Sequence, residues 1–323
     1  MNRFARSLAR FVISFVAITI ILFLFREQLP AVLTQLTAAD PWFFALAVII
    51  FLTGLIATAF RLQLVLKVHD AGLSVVNLYY MNLVALFFNN ILPSHAGGEM
   101  VKAYYIYRGA SNNVAAFSGV VIDRLFGIVT MIGIGLVAII FFDQALAAPK
   151  IFNSLVVLTV FTVGLFFVLF NKTIVNALCR VRLPMISAGW LDKLRVIYQA
   201  MHYYRGQKAI VVAGFLLTVI GQVAFVFTNY FLARSLAIDI PLGFFFYFVP
   251  IILVLGLAPS VNGIGVREAA YLFYLTSFAP ADQALALSLF TSFFMIFVGI
   301  VGGILYAFKG GVPAIKEMTN LQE

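Results

Sequence analysis

Residues 89–105 read NNILPSHAGGEMVKAYY: two amides, a proline, a histidine, a glycine pair, a glutamate and a lysine, set in a chain that is otherwise apolar. Residues 259–271, PSVNGIGVREAAY, lie over 93–105 without a gap. The two stretches share Pro93/Pro259, Ser94/Ser260, Gly97/Gly263, Ala103/Ala269 and Tyr105/Tyr271, and Glu268 stands opposite Lys102. Proline removes an amide donor and glycine a side chain, so each stretch stops one helix and exposes the start of the next. A break of this kind, present twice, predicts an internal repeat.

The surroundings set the solvent in which these breaks must work. Of 323 residues, 63% are hydrophobic and 10% charged, and the mean hydropathy is +1.07. A soluble domain carries about 25% charged residues. The composition is that of an all-α polytopic membrane protein, because backbone amides in hydrocarbon must be satisfied within their own segment and the apolar runs far exceed a barrel strand of ~10 residues. Cys179 is the only cysteine, so no internal disulfide forms. The expected location is a bacterial or archaeal plasma (inner) membrane.

The net charge of +9 is read through its distribution, since basic residues mark cytoplasmic loops before they mark partners. No nucleic-acid partner is expected. Apolar segments at 8–25, 42–60, 114–142, 151–170, 209–236 and 283–308 predict six spanning helices. Arg3, Arg6 and Arg10 place the N-terminus in the cytoplasm, and Arg61 and Lys67 mark the return of the second helix. The segment 172–208 carries Lys172, Arg180, Arg182, Lys193, Arg195, Arg205 and Lys208 against Asp192, and should also be cytoplasmic. Its Trp190, Leu194 and Tyr198 among basic residues suggest an amphipathic helix on anionic inner-leaflet lipids.

This placement holds only if 74–112 enters and leaves on the cytoplasmic side, and 241–279 on the other, with Lys309 and Lys316 cytoplasmic at the end. Both segments are then re-entrant hairpins within a single domain, 1–323. Their charged return limbs are tolerated at membrane depth only against protein or a water-filled cavity. Similar elements on opposite faces make a pseudo-inverted repeat, and broken segments in corresponding positions point to a substrate site near the midplane.

The candidate binding residues lie around these breaks. Asn90, Pro93, Ser94, His95, Gly97 and Gly98 would offer donors and free amides to a phosphate, as would Pro259, Ser260, Asn262, Gly263 and Gly265 on the other half. Gly97 and Gly98 equally fit a tight turn with close helix packing. Arg267 suits a phosphate clamp. Glu99 and Lys102 share a helix face and can pair, while Arg267 and adjacent Glu268 cannot point the same way. Asp123 and Arg124 lie inside the apolar helix that begins near Val114, where ionisable residues are functional by default. His95 reads as a hydrogen-bonding residue, and no metal or other cofactor is expected.

NNILPSHAGGEMVKAYYIYR, VVIDRLFGIV and APSVNGIGVREAAY together resemble the paired signatures of the flippase-like family. That family is also called the lysylphosphatidylglycerol synthase transmembrane region, after the membrane domain of the multiple peptide resistance factor. The resemblance covers roughly Ser7 to Lys309. It implies a membrane protein that moves an amphiphilic lipid between leaflets, with Glu99, Asp123, Arg124, Arg267 and Glu268 as functional residues and Gly97 and Gly98 shaping the first break. Asp123 stands where the family often has Glu. The chain ends at Glu323, without room for the soluble aminoacyl-transferase domain, so lysylphosphatidylglycerol synthesis is not expected of it.

The expected function is thus a lipid flippase or transporter for an anionic phospholipid, glycolipid or polyprenyl-linked lipid, not an enzyme. One alternative is a membrane-embedded transferase on a lipid-linked sugar, for which Glu99 and Asp123 would be the carboxylates. The other is a scaffold for an envelope-biosynthesis enzyme, alone or as a homo-oligomer.

Overall fold

A computed structural model describes residues 37, 39–68, 72–91, 97–110, 113–142, 149–170, 204, 206–255 and 266–309. Among these residues the protein is entirely helical. The helices are α1 (Pro41–Lys67), α2 (Val75–Ile91), α3 (Gly97–Ala110), α4 (Asn113–Phe141), α5 (Pro149–Phe170), α6 (Lys208–Ser235), α7 (Leu242–Leu255), α8 (Val266–Leu275) and α9 (Ala281–Lys309). Four stretches, Pro41–Lys67, Gly119–Phe141, Lys208–Ser235 and Ala281–Phe308, are long and apolar enough to cross a membrane. They match four of the six expected spans. The expected 151–170 segment falls within α5, while 8–25 and most of the basic 172–208 segment lie outside the described residues.

Local chemistry sets the helix ends. Asp40 caps α1 by accepting the Trp42 N–H at 2.8 Å, with Pro41 at the first helical position. α6 ends at Ala237, held at φ 56°, where the Ala237 N–H reaches Arg234 O and the Ile238 N–H reaches Ala233 O, both at 3.0 Å. This double bond pattern stabilises a left-handed residue usually supplied by glycine.

α1 and α6 pack antiparallel along their length. The Asp40 N–H bonds Ser235 O at 2.7 Å, and further along Gly54 faces Ala224 and Thr58 faces Gly221. α2 and α9 form a second antiparallel pair, in which side chains at Gly299, Gly302 and Gly303 would collide with Asn90, Leu83 and Phe87. Small residues allow this close approach where lipid supplies no hydrophobic drive between helices.

Within each expected hairpin segment the two described helices pack against each other. α3 folds back along α2, placing Gly98 beside Ala85 and Asn89 and Ile106 among Leu78 and Met81. α8 folds back along α7, with the Tyr271 ring 4.9 Å from Phe248, and beyond its end Phe278 lies 4.6 Å from Phe244. Exchanging α1–α4 for α6–α9 preserves the packing scheme: α1 with α2, α2 with α3, α3 with α4 and α2 with α9 map onto α6 with α7, α7 with α8, α8 with α9 and α7 with α4. The main core gathers around Phe244, Tyr247, Phe248, Phe290 and Phe294 of the second half and takes in Phe51, Leu83 and Met131 of the first.

Candidate functional site

Where the two hairpins and the long helices meet, they enclose a cavity of about 370 Å³. Among the described helices, all but α5 line it. Much of the wall is apolar, including Phe225, Phe248, Ile252, Leu253 and Met131. Into it project Arg61, Glu99, Lys102, Asp123, Arg124 and Arg267.

The first hairpin positions two of these charges by a tight contact. Asn89 Oδ1 accepts the Gly98 N–H at 2.8 Å. A Cβ at Gly98 would strike the Ala85 carbonyl, so this glycine permits α3 to dock on α2. The amide expected to serve a phosphate is occupied by Asn89. Docked in this way, α3 turns Glu99 and Lys102 toward α4.

An ion-pair chain crosses three helices. Arg61 Nε donates to Asp123 Oδ1 at 2.7 Å, Lys102 Nζ lies 3.5 Å from Asp123 Oδ2 and 2.9 Å from Glu99 Oε2, and Arg124 Nη2 lies 2.6 Å from Glu99 Oε1. The side chains of Arg61, Lys102 and Asp123 are at most 7% exposed, Glu99 15% and Arg124 43%. The chain therefore runs from a dry interior to an accessible end. Three cations against two carboxylates leave it positive. Arg61 also donates to Thr218 Oγ1 at 3.2 Å, which joins α6 to the cluster. Isolated charges would be costly here, so each must be paired and hydrogen-bonded.

The second half carries a different polar cluster. Tyr271 Oη stands 3.4 Å from Asn229 Oδ1 and 3.3 Å from Thr291 Oγ1, linking α8, α6 and α9. Arg267, one turn before Tyr271, donates to Ser292 Oγ at 2.9 Å. Four of these groups sit at stations equivalent to the first cluster, separated by one constant interval: 61 and 229, 123 and 291, 124 and 292, 99 and 267; Tyr271 falls opposite Ala103. The helix starts at 41 and 208, 75 and 242, 97 and 266, and 113 and 281 agree within a residue or so. By this interval Glu99 corresponds to Arg267, two residues away from the gapless sequence overlay that set Lys102 against Glu268. The order of helix packing in the two halves supports this interval over the gapless overlay.

Of the expected site residues, the structure brings Asn90, Glu99, Lys102, Asp123, Arg124 and Arg267 to the cavity wall. Gly97, Gly98 and Glu268 do not line it. Pro93, Ser94, His95, Pro259, Ser260, Asn262, Gly263 and Gly265 lie outside the described residues. Sequence reasoning treated Arg61 as a topological marker and passed over Thr218, Asn229, Thr291 and Ser292. The signal for Arg61 was the apolar run Leu62, Leu64, Val65 and Leu66 that continues α1 past it. That run places the charge inside a helix rather than in a loop. Tyr271 is one of the identities of the sequence repeat, but nothing in the repeat marks its hydroxyl.

A family model described as "Lysylphosphatidylglycerol synthase TM region" matches residues 7–303. A "UPF0104 membrane protein" of Methanothermobacter thermautotrophicus is 34% identical over 97 residues, which are 29% of this chain and 28% of that protein. The match thus spans under a third of that relative. No solved structure matches.

Proposed function

The chain belongs to the family of lysylphosphatidylglycerol synthase transmembrane regions, a multi-pass membrane protein, and from that premise we propose that it moves an amphiphilic lipid with an anionic headgroup between leaflets. The headgroup enters the cavity between the two hairpins while the tails stay in the bilayer. The observation that carries this reading is the cationic excess of the Arg61–Asp123–Lys102–Glu99–Arg124 chain, with Arg267 on the facing wall of an otherwise apolar cavity. A cavity near 370 Å³ accommodates a headgroup without its tails, and ligand pockets begin at about 300 Å³.

In this reading both hairpins are re-entrant, the termini are cytoplasmic and the halves form an inverted repeat. The antiparallel pairing of equivalent helices α1 and α6 supports it, since an inverted repeat reverses each helix relative to its counterpart. Arg124, at the accessible end, receives the phosphate first. The buried pairs behind it keep the cavity positive without exposing an unpaired charge.

The test is leaflet exchange of fluorescent anionic lipid in vesicles reconstituted with the full chain. Glu99→Ala and Arg267→Ala should each lower the rate at least tenfold while the protein stays folded in detergent. Wild-type rates in both variants would refute the reading.

A further inference from the structure

The second polar cluster is chemically unlike the first, although its Asn229 and Thr291 occupy the stations of Arg61 and Asp123. In the first half the groups are ions, with three of their four contacts at 2.6–2.9 Å. In the second, one phenol hydrogen stands between two acceptors at 3.3 and 3.4 Å, well beyond the ~2.7–2.8 Å at which O–H···O bonds are commonest. Tyr271 can donate to only one acceptor at a time. The Thr291 hydroxyl already donates to Leu287 O at 2.8 Å and the Asn229 amide to Phe225 O at 2.8 Å, which leaves acceptor lone pairs and a second amide hydrogen for another partner. Tyr271, Asn229 and Thr291 are 1%, 4% and 5% exposed, yet all three line the cavity. Loosely bonded hydroxyl and amide groups in a buried wall suit a ligand that brings its own hydroxyls.

Spacing links this cluster to the cations. Arg267 and Tyr271 are four residues apart on α8 and so share a face about one turn, ~5–6 Å, apart. A phosphate held at Arg267 would place hydroxyls two or three bonds farther along its substituent at Tyr271. Phe225 and Phe248 in the same wall offer apolar faces to the carbon skeleton between them.

We propose that Asn229, Tyr271 and Thr291 form a hydroxyl-binding lobe, and that the headgroup taken by the cavity is a phosphate-linked polyol, its phosphodiester drawn to Arg124 and Arg267. This inference rests on the lipid-handling reading of the same site and narrows it. The polyol is either the glycerol of a glycerophospholipid or the sugar of a polyprenyl phosphosugar, both of which present the same phosphate-and-hydroxyl chemistry. Discrimination is expected because a wall built to bond hydroxyls leaves its polar groups unpaired with a ligand that lacks them.

The experiment is equilibrium binding to the purified full chain, by native mass spectrometry. One arm compares phosphatidylglycerol with phosphatidylpropanol of identical acyl chains, which keeps the phosphodiester charge and removes the hydroxyls. The other compares a polyprenyl phosphohexose with the corresponding polyprenyl methyl phosphate. The wild type should prefer the polyol member of at least one arm about tenfold, as expected for one or two net hydrogen bonds, and the arm that responds names the source. Tyr271→Phe and Thr291→Val should each erase the preference, read as the ratio of the two affinities within an arm, whereas Arg267→Gln should weaken all four ligands. Equal wild-type affinity within both arms overturns the inference, as does a preference that survives Tyr271→Phe and Thr291→Val together. Thermal unfolding of the variants in detergent separates lost contacts from lost fold. Leaflet exchange measured on the same preparations keeps the two readings apart. Exchange that persists without a hydroxyl preference removes only the polyol lobe, and absent exchange with the preference intact removes only transport.

Discussion

The charged chain of the first half and the neutral cluster of the second each tie three helices together, with Asn229 and Thr291 at the stations of Arg61 and Asp123 and Tyr271 one residue past that of Lys102, yet they use opposite chemistry. Arg61, Asp123 and Lys102 link α1, α4 and α3 through buried ions; Asn229, Thr291 and Tyr271 link α6, α9 and α8 through neutral hydrogen bonds. Since the neutral set holds its half together, helix packing does not require ions at these stations. Buried ion pairs are also a poor source of stability, because desolvation offsets most of their attraction. The physical reason left for the ions is their field: they make one lobe of the cavity positive. The two hairpins differ in the same spirit. The first return limb docks by backbone approach at Gly98, the second by the Phe248–Tyr271 ring contact at 4.9 Å.

The widest separation between the halves should appear when one central acceptor is removed from each. Asp123→Ala leaves Arg61 and Lys102 buried beside each other without their shared carboxylate, and should cost about 3–5 kcal/mol. Thr291→Val, its counterpart, removes one hydroxyl and should cost about 1 kcal/mol. Chemical unfolding in detergent measures both, and equal losses would break the comparison. A sharper form moves the neutral chemistry across. Arg61→Asn, Asp123→Thr and Lys102→Met combined should recover at least half of the Asp123→Ala loss, while leaflet exchange of anionic lipid stays absent. Restored exchange in the triple variant would show that the field of the first lobe is not what the lipid needs.

How much of this was legible beforehand follows from what each signal encodes. Gly97 and Gly98 act on the backbone locally, so a helix start there could be read directly, while the return of α3 along α2 was inferred from the parity of charged loops. Glu99 and Lys102, three apart on one face, announced their own pairing. Asp123 stood out as a charge within an apolar run, but its partners Arg61 and Lys102 lie on other helices, and no periodicity reports a contact between helices. Arg61 was misjudged because a charge near a helix end and a charge one turn inside it look alike until the helix end is known. Asn229, Thr291 and Ser292 escaped because single hydroxyls and amides are common in membrane helices, where they usually bond the backbone one turn back. Thr291 and Ser292 do so too, to Leu287 O and Ser288 O. Their equivalence to Asp123 and Arg124 became visible only through the packing of α4 and α9.

The hairpin contrast gives an intermediate effect. Gly98→Ala drives a methyl into the Ala85 carbonyl and should cost about 1–3 kcal/mol as α3 shifts. It should also slow leaflet exchange, because Glu99 and Lys102 ride on the displaced limb. Phe248→Leu in the second hairpin keeps most of the apolar volume and should cost about 1 kcal/mol, the order of one aromatic pair. A reversed order would mean that the first limb yields more readily than backbone contact allows.

The smallest effect expected marks the limit of the electrostatic argument. Arg234 and Asp239 form an ion pair at 2.6 Å, as short as Arg124 with Glu99, but their side chains are 38% and 90% exposed. Water solvates both partners after either is removed, so Asp239→Asn should change stability by no more than ~0.5 kcal/mol and leave leaflet exchange at the wild-type rate. Distance alone therefore does not rank the ion pairs of this protein. If Asp239→Asn proved as damaging as Asp123→Ala, burial would not explain the cost of disturbing the first lobe. The contrast between a charged and a neutral half would then have to be sought in geometry instead.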